Sequence, residues 1–248
     1  MTINVETRGD SDAPAIIFIH GSGGSSATWF MQLRGLSDDF HIVAIDLNGH
    51  GKSPDRSESN TTDSYLADIK EIVKNYDRPV IGGHSMGGML AQLFALKHPE
   101  MIGGIILVGT GARLRVAQFI FDTLDNNFDE YVEGAGNFMF HESASEELID
   151  SSKREIRKCN PVIIRRDFAA CNGFDIMEKV ADISLPTLIL VGDQDLMTPV
   201  KYSEYLHDKI QNSKMHVIDN AGHSVMLEQF EEFNSHIKNW MRSIKTPN

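Results

Sequence analysis

The chain has 248 residues, 41% of them hydrophobic and 23% charged, which fits one or two globular domains and a core holding roughly 70–75% of the unfolded surface. Its net charge of −12 comes from 23 Lys and Arg against 35 Asp and Glu, with no basic run, and argues against nucleic acid as a partner. No segment reaches the roughly 18–20 consecutive apolar residues that span a membrane, and Met1 to Glu6 carries no basic leader.

Short apolar, β-branched runs alternate with longer helical patterns. Ile3 to Thr7 reads as a first short strand and Ala15 to Ile19 as a second. Trp29 to Leu36 suits a helix, His41 to Ile45 a strand, and Ser64 to Tyr76 a helix with Leu66, Ile69, Ile72 and Val73 on one stripe. Arg78 to Gly82 reads as a buried strand, Met89 to Leu96 as a buried helix, and Ile105 to Val108 as a strand. Beyond the break described next come a strand at Thr187 to Val191, a helix at Val200 to Ile210, a strand at Met215 to Ile218 and a helix at Phe230 to Ile244. Continuous apolar strands are covered on both faces, so the pattern predicts a mostly parallel sheet flanked by helices.

Residues 113–180 break the rhythm. They contain no convincing strand and read as helices over Leu114 to Asn126, Asp129 to Phe140, Glu146 to Arg157 and Pro161 to Cys171. The predicted organisation is a core domain of residues 1–112 and 181–248, interrupted by a helical cap of residues 113–180. A cap over the C-terminal edge of a parallel sheet covers the place where such sheets bind ligands.

The most informative stretch is Gly83-His84-Ser85-Met86-Gly87, a G-x-S-x-G between a strand pattern and a helix pattern. A sharp strand-to-helix turn exposes the side chain at its tip and requires small residues on either side. Ser85 is therefore the candidate nucleophile. The amide of Met86 and the positive end of the following helix would face whatever Ser85 attacks.

A serine at neutral pH needs a base, and the base needs a partner that fixes its tautomer. Of ten histidines, only His223 sits in a loop after the last strand, in Asn220-Ala221-Gly222-His223-Ser224. His223 is therefore the candidate base, and a solvated loop histidine is the alternative. His20, His50 and His84 belong to Gly-containing turns; the other six lie in strand runs or in or beside helical patterns. The loop Gly192 to Pro199 offers two carboxylates, Asp193 and Asp195. Asp195 sits at the apex, whereas Asp193 suits a turn-former. A second oxyanion donor is expected from His20-Gly21-Ser22-Gly23-Gly24, with Ser22 as the donor. That stretch also reads as a simple Gly-rich turn, and its spacing fits neither common phosphate-binding motif.

Together these residues resemble the α/β-hydrolase superfamily over essentially the whole chain. The resemblance rests on His20-Gly21 and the small residues after it, on Asp46-Leu47-Asn48-Gly49-His50-Gly51-Lys52-Ser53, on the elbow, on Gly192 to Pro199 and on Gly222-His223. It implies an α/β-hydrolase fold, a sheet of about seven or eight strands, and a cap after the sixth strand of the family's usual numbering. It also implies Ser85 as nucleophile, His223 as base, Asp195 as acid and the Ser22 and Met86 amides as oxyanion hole, in the family's order Ser…Asp…His. Residues 46–53 would form a structural turn in which His50 is not catalytic.

Fold does not settle reaction. A serine at the elbow tip argues against the haloalkane dehalogenase and epoxide hydrolase branches, which place a carboxylate there. The sequence points to a cytoplasmic carboxylesterase for small to medium acyl chains, working without cofactor or metal. Its expected partner is a small-molecule ester, with no nucleic acid or membrane, and the expected state is a monomer or homodimer. Phe119, Phe138, Phe140 and Phe168 are the candidate substrate contacts from the cap, where packing of the cap helices against one another is the plainer role for each. Lactone, thioester and C–C bond hydrolysis use the same machinery; the stretch around Arg165-Arg166 loosely resembles the enol-lactone hydrolase branch, and a plain surface arginine pair is the favoured reading of it. A small-molecule receptor on a hydrolase scaffold is the non-enzymatic alternative.

Overall fold

A computed structural model of the chain describes residues 3–56 and 60–244. Met1 and Thr2, part of the N-terminal stretch read above for a leader, lie outside the described residues. Strand β1 (Val5–Arg8) leads to β2 (Ala15–Ile19), a short 3₁₀ turn and helix α1 (Phe30–Gly35). Then come β3 (His41–Ile45), α2 (Thr61–Val73), β4 (Val80–His84), α3 (Met86–Lys97) and β5 (Gly104–Val108). Four helices follow: α4 (Gln118–Asn126), α5 (Phe128–Met139), α6 (Glu146–Lys158) and α7 (Pro161–Gly173). The chain finishes with β6 (Thr187–Gly192), α8 (Val200–Lys209), β7 (Ser213–Ile218), α9 (Val225–Glu228) and α10 (Phe230–Ser243).

The strands form one seven-stranded sheet in the order β1-β3-β2-β4-β5-β6-β7. Only β1 runs antiparallel, pairing Val5 with Ile45; the other pairs are parallel. Alternate residues of each buried strand enter two different cores. Ile17, Ile19, Ile81, Ile105 and Leu107 pack under α2, α3 and α8. Ile16, Phe18, Ile106, Val108 and Leu188 face the other way, against Trp29, Phe233, Ile237 and Trp240. Two covered faces explain why the strands read as unbroken apolar runs rather than alternating ones. Helices α4 to α7 share a third cluster of their own, built on Leu124, Val132, Ile156, Ile163 and Ile164.

Several boundaries differ from the expectation. β4 starts two residues later and ends at His84, because Gly83 and His84 still pair with Leu107 and Val108. The helix expected from Leu114 begins at Gln118: Arg113 bridges Asp175, and the Ile176 amide donates to the Ala112 carbonyl at 2.8 Å. This pairing ties the two ends of the helical segment together, and no local pattern announces it. Helix α9 was not expected. Cys159 and Cys171 are buried free thiols. Among the described residues, no helix is long and apolar enough to cross a membrane.

Candidate active site

The parallel strands deliver Ile19, His84, Val108, Gly192 and Ile218 to the same edge of the sheet, and Ser22, Ser85, Met86, Asp195 and His223 lie just beyond four of these ends. Ser85 is the single residue between β4 and α3. Its φ of 53° and ψ of −114° place a non-glycine residue in a sparsely populated conformation, which costs of order 1–3 kcal/mol and persists only where neighbours impose it. They do so here. The Ser85 amide donates to the Val108 carbonyl at 2.9 Å, and the Ser85 carbonyl accepts from Met89 N at 3.1 Å and Thr110 Oγ1 at 2.9 Å. A methyl group on Gly87 would run into the Ile19 carbonyl, so the helix reaches the sheet only with glycine there.

His223 and Asp195 form a buried pair, with Nδ1 and Oδ2 2.9 Å apart. The carboxylate is fully engaged: Oδ1 accepts from the amides of Met197 at 2.9 Å and Thr198 at 2.8 Å, and Oδ2 from Thr198 Oγ1 at 2.8 Å. Burial pushes the Asp195 pKa up, but the nearby His223 and these donors outweigh it and hold it well below the usual carboxylate range. Gly109, at φ 49°, leaves room for the pair; a Cβ there would lie 3.2 Å from both Asp195 Oδ2 and His223 Nδ1. Asp193 lies apart from the imidazole, and its Oδ1 accepts the Ala221 amide at 3.2 Å.

His84 links this pair to the elbow. Its ring lies 4.5 Å from that of His223, centroid to centroid, and its Nε2 donates to the His223 carbonyl at 3.0 Å. Burial and the neighbouring His223 lower its pKa to about 3, so His84 is neutral. The other side of the His223 loop is tied to the helical segment. The Ser224 amide donates to the Met139 carbonyl at 2.9 Å, and Glu228 accepts from the amides of Gly222 at 2.9 Å and His141 at 2.6 Å.

The turn after β2 faces Ser85 from the opposite side: a Cβ on Gly21 would lie 3.3 Å from Ser85 Cβ. Within it the Gly24 amide donates to the Gly21 carbonyl at 3.1 Å. Ser22 Oγ donates to the Ile164 carbonyl at 3.4 Å, and the Gly23 amide to Asp167 Oδ2 at 3.4 Å. Met86 heads α3, where an α-helix leaves its first amides without intrahelical partners.

The four phenylalanines occupy different settings. Phe119 and Phe138 are exposed and tilted against each other, 6.4 Å between centroids. Phe140 is buried, and Phe168 stands edge-on to Tyr131 within the helical segment. The two arginines are engaged: Arg165 pairs with Asp125 at 2.7 Å, and Arg166 reaches Asp55 at 2.8 Å, the Asn48 carbonyl at 3.0 Å and Tyr65 Oη at 3.2 Å. Among the described residues, no group of three or more His, Cys, Asp or Glu is placed to hold a metal ion.

Sequence reasoning missed Asp167, Tyr65, Thr198 and Glu228. Asp167 had a signal. Ile163, Ile164, Asp167 and Cys171 form the buried stripe of α7, and a carboxylate on such a stripe has to find partners inside.

The model of sequences described as the alpha/beta hydrolase family matches residues 16–236. The chain belongs to that family. Among curated relatives of this hydrolase, a putative carbamate hydrolase RutD of Agrobacterium fabrum is 28% identical, covering 96% of each chain. The 3-oxoadipate enol-lactonase 1 of Acinetobacter baylyi is 26% identical, covering 98% of this chain and 94% of its own. Among solved structures, a thermophilic esterase is 32% identical with a TM-score of 0.86, covering 98% of this chain and 96% of that one. A thermophilic esterase from Thermogutta terrifontis is 26% identical with a TM-score of 0.88, covering 98% and 94%.

Proposed function

We propose that this hydrolase cleaves carboxylic esters of small to medium acyl chains through an acyl-enzyme on Ser85. The observation that carries the reading is the buried Asp195–His223 pair, set against the elbow through His84. With Nδ1–H given to Asp195, Nε2 of the neutral imidazole is the ring's free base. His223 takes the Ser85 proton as Oγ bonds to the ester carbonyl carbon. The resulting oxyanion faces the amides of Met86 and Ser22. Collapse expels the alcohol, which receives the proton from His223. Water, deprotonated by the same imidazole, then releases the acid and restores Ser85. Asp195 stays ionised throughout and stabilises the imidazolium.

Helices α4 to α7 serve as the lid of this reading, with the exposed pair Phe119 and Phe138 as its acyl contacts. Arg165 and Arg166 are already paired with Asp125 and Asp55, which favours an uncharged acyl group. By the same reading the protein acts in the cytoplasm on a small molecule, as a monomer or homodimer. The enol-lactonase and carbamate hydrolase relatives support a second reading, in which the scissile carbonyl belongs to a lactone or carbamate.

A fluorophosphonate should add one adduct, at Ser85, and Ser85→Ala should lower kcat by roughly 10⁴–10⁶-fold with the fold intact. Labelling elsewhere, or retained activity, overturns the serine mechanism. Ranking kcat/KM over p-nitrophenyl esters, enol-lactones, carbamates and thioesters separates the two substrate readings. On the ester reading, kcat/KM rises over the first acyl carbons, by up to ~0.8 kcal/mol per buried CH₂, and then falls. Phe119→Ala with Phe138→Ala should move that optimum to longer chains.

A further inference from the structure

Helix α7 sends one fully buried carboxylate, Asp167, down to the oxyanion turn. Asp167 Oδ2 lies 2.8 Å from His50 Nε2 and accepts the Gly23 amide, and Oδ1 accepts Tyr65 Oη–H at 2.6 Å. His50 is also fully buried, and its Nδ1 lies 3.2 Å from the Asn48 carbonyl. A main-chain carbonyl and a carboxylate are both acceptors, so each ring nitrogen of His50 carries a hydrogen and the ring is an imidazolium. Burial opposes the charge on His50, but Asp167 overrides it and raises the pKa; burial opposes the charge on Asp167, and His50 and Tyr65 likewise override it. His20, 4.8 Å from the His50 ring, stays neutral: burial and His50 lower its pKa to about 4.

Removing one partner from a buried ion pair is strongly destabilising, so such a pair holds its elements in one arrangement. The elements joined here are α7, α2 through Tyr65, the turn carrying His50, and the Ser22–Gly23 peptide. Ile164, one helical turn earlier, seals the same contact: its carbonyl accepts Ser22 Oγ–H, and its Cδ1 lies 3.1 Å from where a Gly23 Cβ would be.

We propose that Asp167 is a positioning residue, which holds the Ser22–Gly23 turn at the distance from Ser85 that an oxyanion requires. It touches no substrate and acts through the Gly23 amide. The proposal rests on the serine mechanism above. A donor misplaced by about 1 Å costs on the order of 10²-fold in rate and leaves ground-state binding largely alone.

The test is kcat per active site, counted by complete fluorophosphonate titration of the purified full chain, with p-nitrophenyl acetate as substrate. Asp167→Asn should lower kcat per titrated site by about 10–100-fold, with KM changed by less than about 3-fold. Tyr65→Phe, which keeps the carboxylate and removes one donor, should lower it by about 3–10-fold. The double variant should be no slower than Asp167→Asn alone, since both act through one carboxylate. A purely structural role would lower Tm and the number of titratable sites but leave kcat per site within about 3-fold of wild type, and that result overturns the proposal. Should Asp167→Asn fail to accumulate, Tyr65→Phe alone decides: an unchanged per-site kcat overturns the proposal. A wild-type enzyme unlabelled at Ser85 overturns the serine mechanism and this proposal together.

Discussion

Thr198 Oγ1 donates to Asp195 Oδ2 at 2.8 Å, so the oxygen that faces His223 is shared with a hydroxyl from its own loop. Together with the amides of Met197 and Thr198, that hydroxyl fixes the carboxylate before any imidazole charge appears. Asp195→Asn should lower kcat on the order of 10⁴-fold, because an amide NH₂ facing Nδ1 selects the wrong tautomer. Asp193→Asn should cost less than about 10-fold, as its carboxylate serves the Ala221 amide and Gln194 rather than the imidazole. Steady-state kinetics on both variants decide the point, and a reversed order would move the acid to Asp193.

His20 and His84 make the fold acid-sensitive. Their folded pKa values of about 4 and about 3 lie below the unfolded value. Below pH 6.5 the unfolded chain binds protons that these buried rings refuse, so stability falls as pH falls. Each ring should remove about 2 kcal/mol between pH 7 and pH 5. The raised pKa of His50 works in the opposite sense, contributing stability that is full below pH 6.5 and lost as pH rises through its folded value. Urea titrations at the two pH values should show wild type losing about 2 kcal/mol more than His84→Asn. Equal losses would mean that His84 titrates normally in the folded protein.

Glu228 offers two acceptors to two amides, those of Gly222 and His141. Glutamine has only one acceptor, and its NH₂ would face the second amide. Glu228→Gln should destabilise by about 1–3 kcal/mol and lower kcat several-fold by loosening the loop that carries His223. Denaturant unfolding and kinetics at pH 7 check both effects. Wild-type values in both would show that the loop is held without this carboxylate.

Two glycines should respond oppositely to the same substitution. Gly87→Ala drives a methyl into the Ile19 carbonyl and should cost about 1–3 kcal/mol or more. Gly134, within α5, has open space where a methyl would stand, with nothing within 4 Å, so Gly134→Ala should stabilise by about 0.5–1 kcal/mol. Thermal unfolding of both variants measures the contrast.

The strands and the elbow were legible because both carry local signals: unbroken apolar runs for strands covered on two faces, and small residues around Ser85 for a crowded turn. His223 and the Gly192–Pro199 loop were legible by their place after strands. What stayed hidden depends on partners distant in the chain. The start of α4 is set by the pairing of residues 112–114 with 174–176, and nothing near Leu114 says so. Asp167 lies on the apolar stripe of α7, which marks it for burial, but its three partners lie in other elements and nothing local names them. Arg165 and Arg166 read as a pair with one role, yet they take separate acidic partners, Asp125 and Asp55.

Helices α4 to α7 keep an apolar cluster that shares no buried residue with the two clusters flanking the sheet. Changes in Leu124, Val132 or Ile156 are therefore answered by neighbours within the same four helices, while Ile17, Ile105 or Phe233 keep their company unchanged. Heritable variation can reshape these four helices through compensating steps within their own cluster, away from the residues that pack the sheet. Asp167, Arg166 and Cys171 on α7 and the Met139–Ser224 and His141–Glu228 contacts are among the points where that freedom stops.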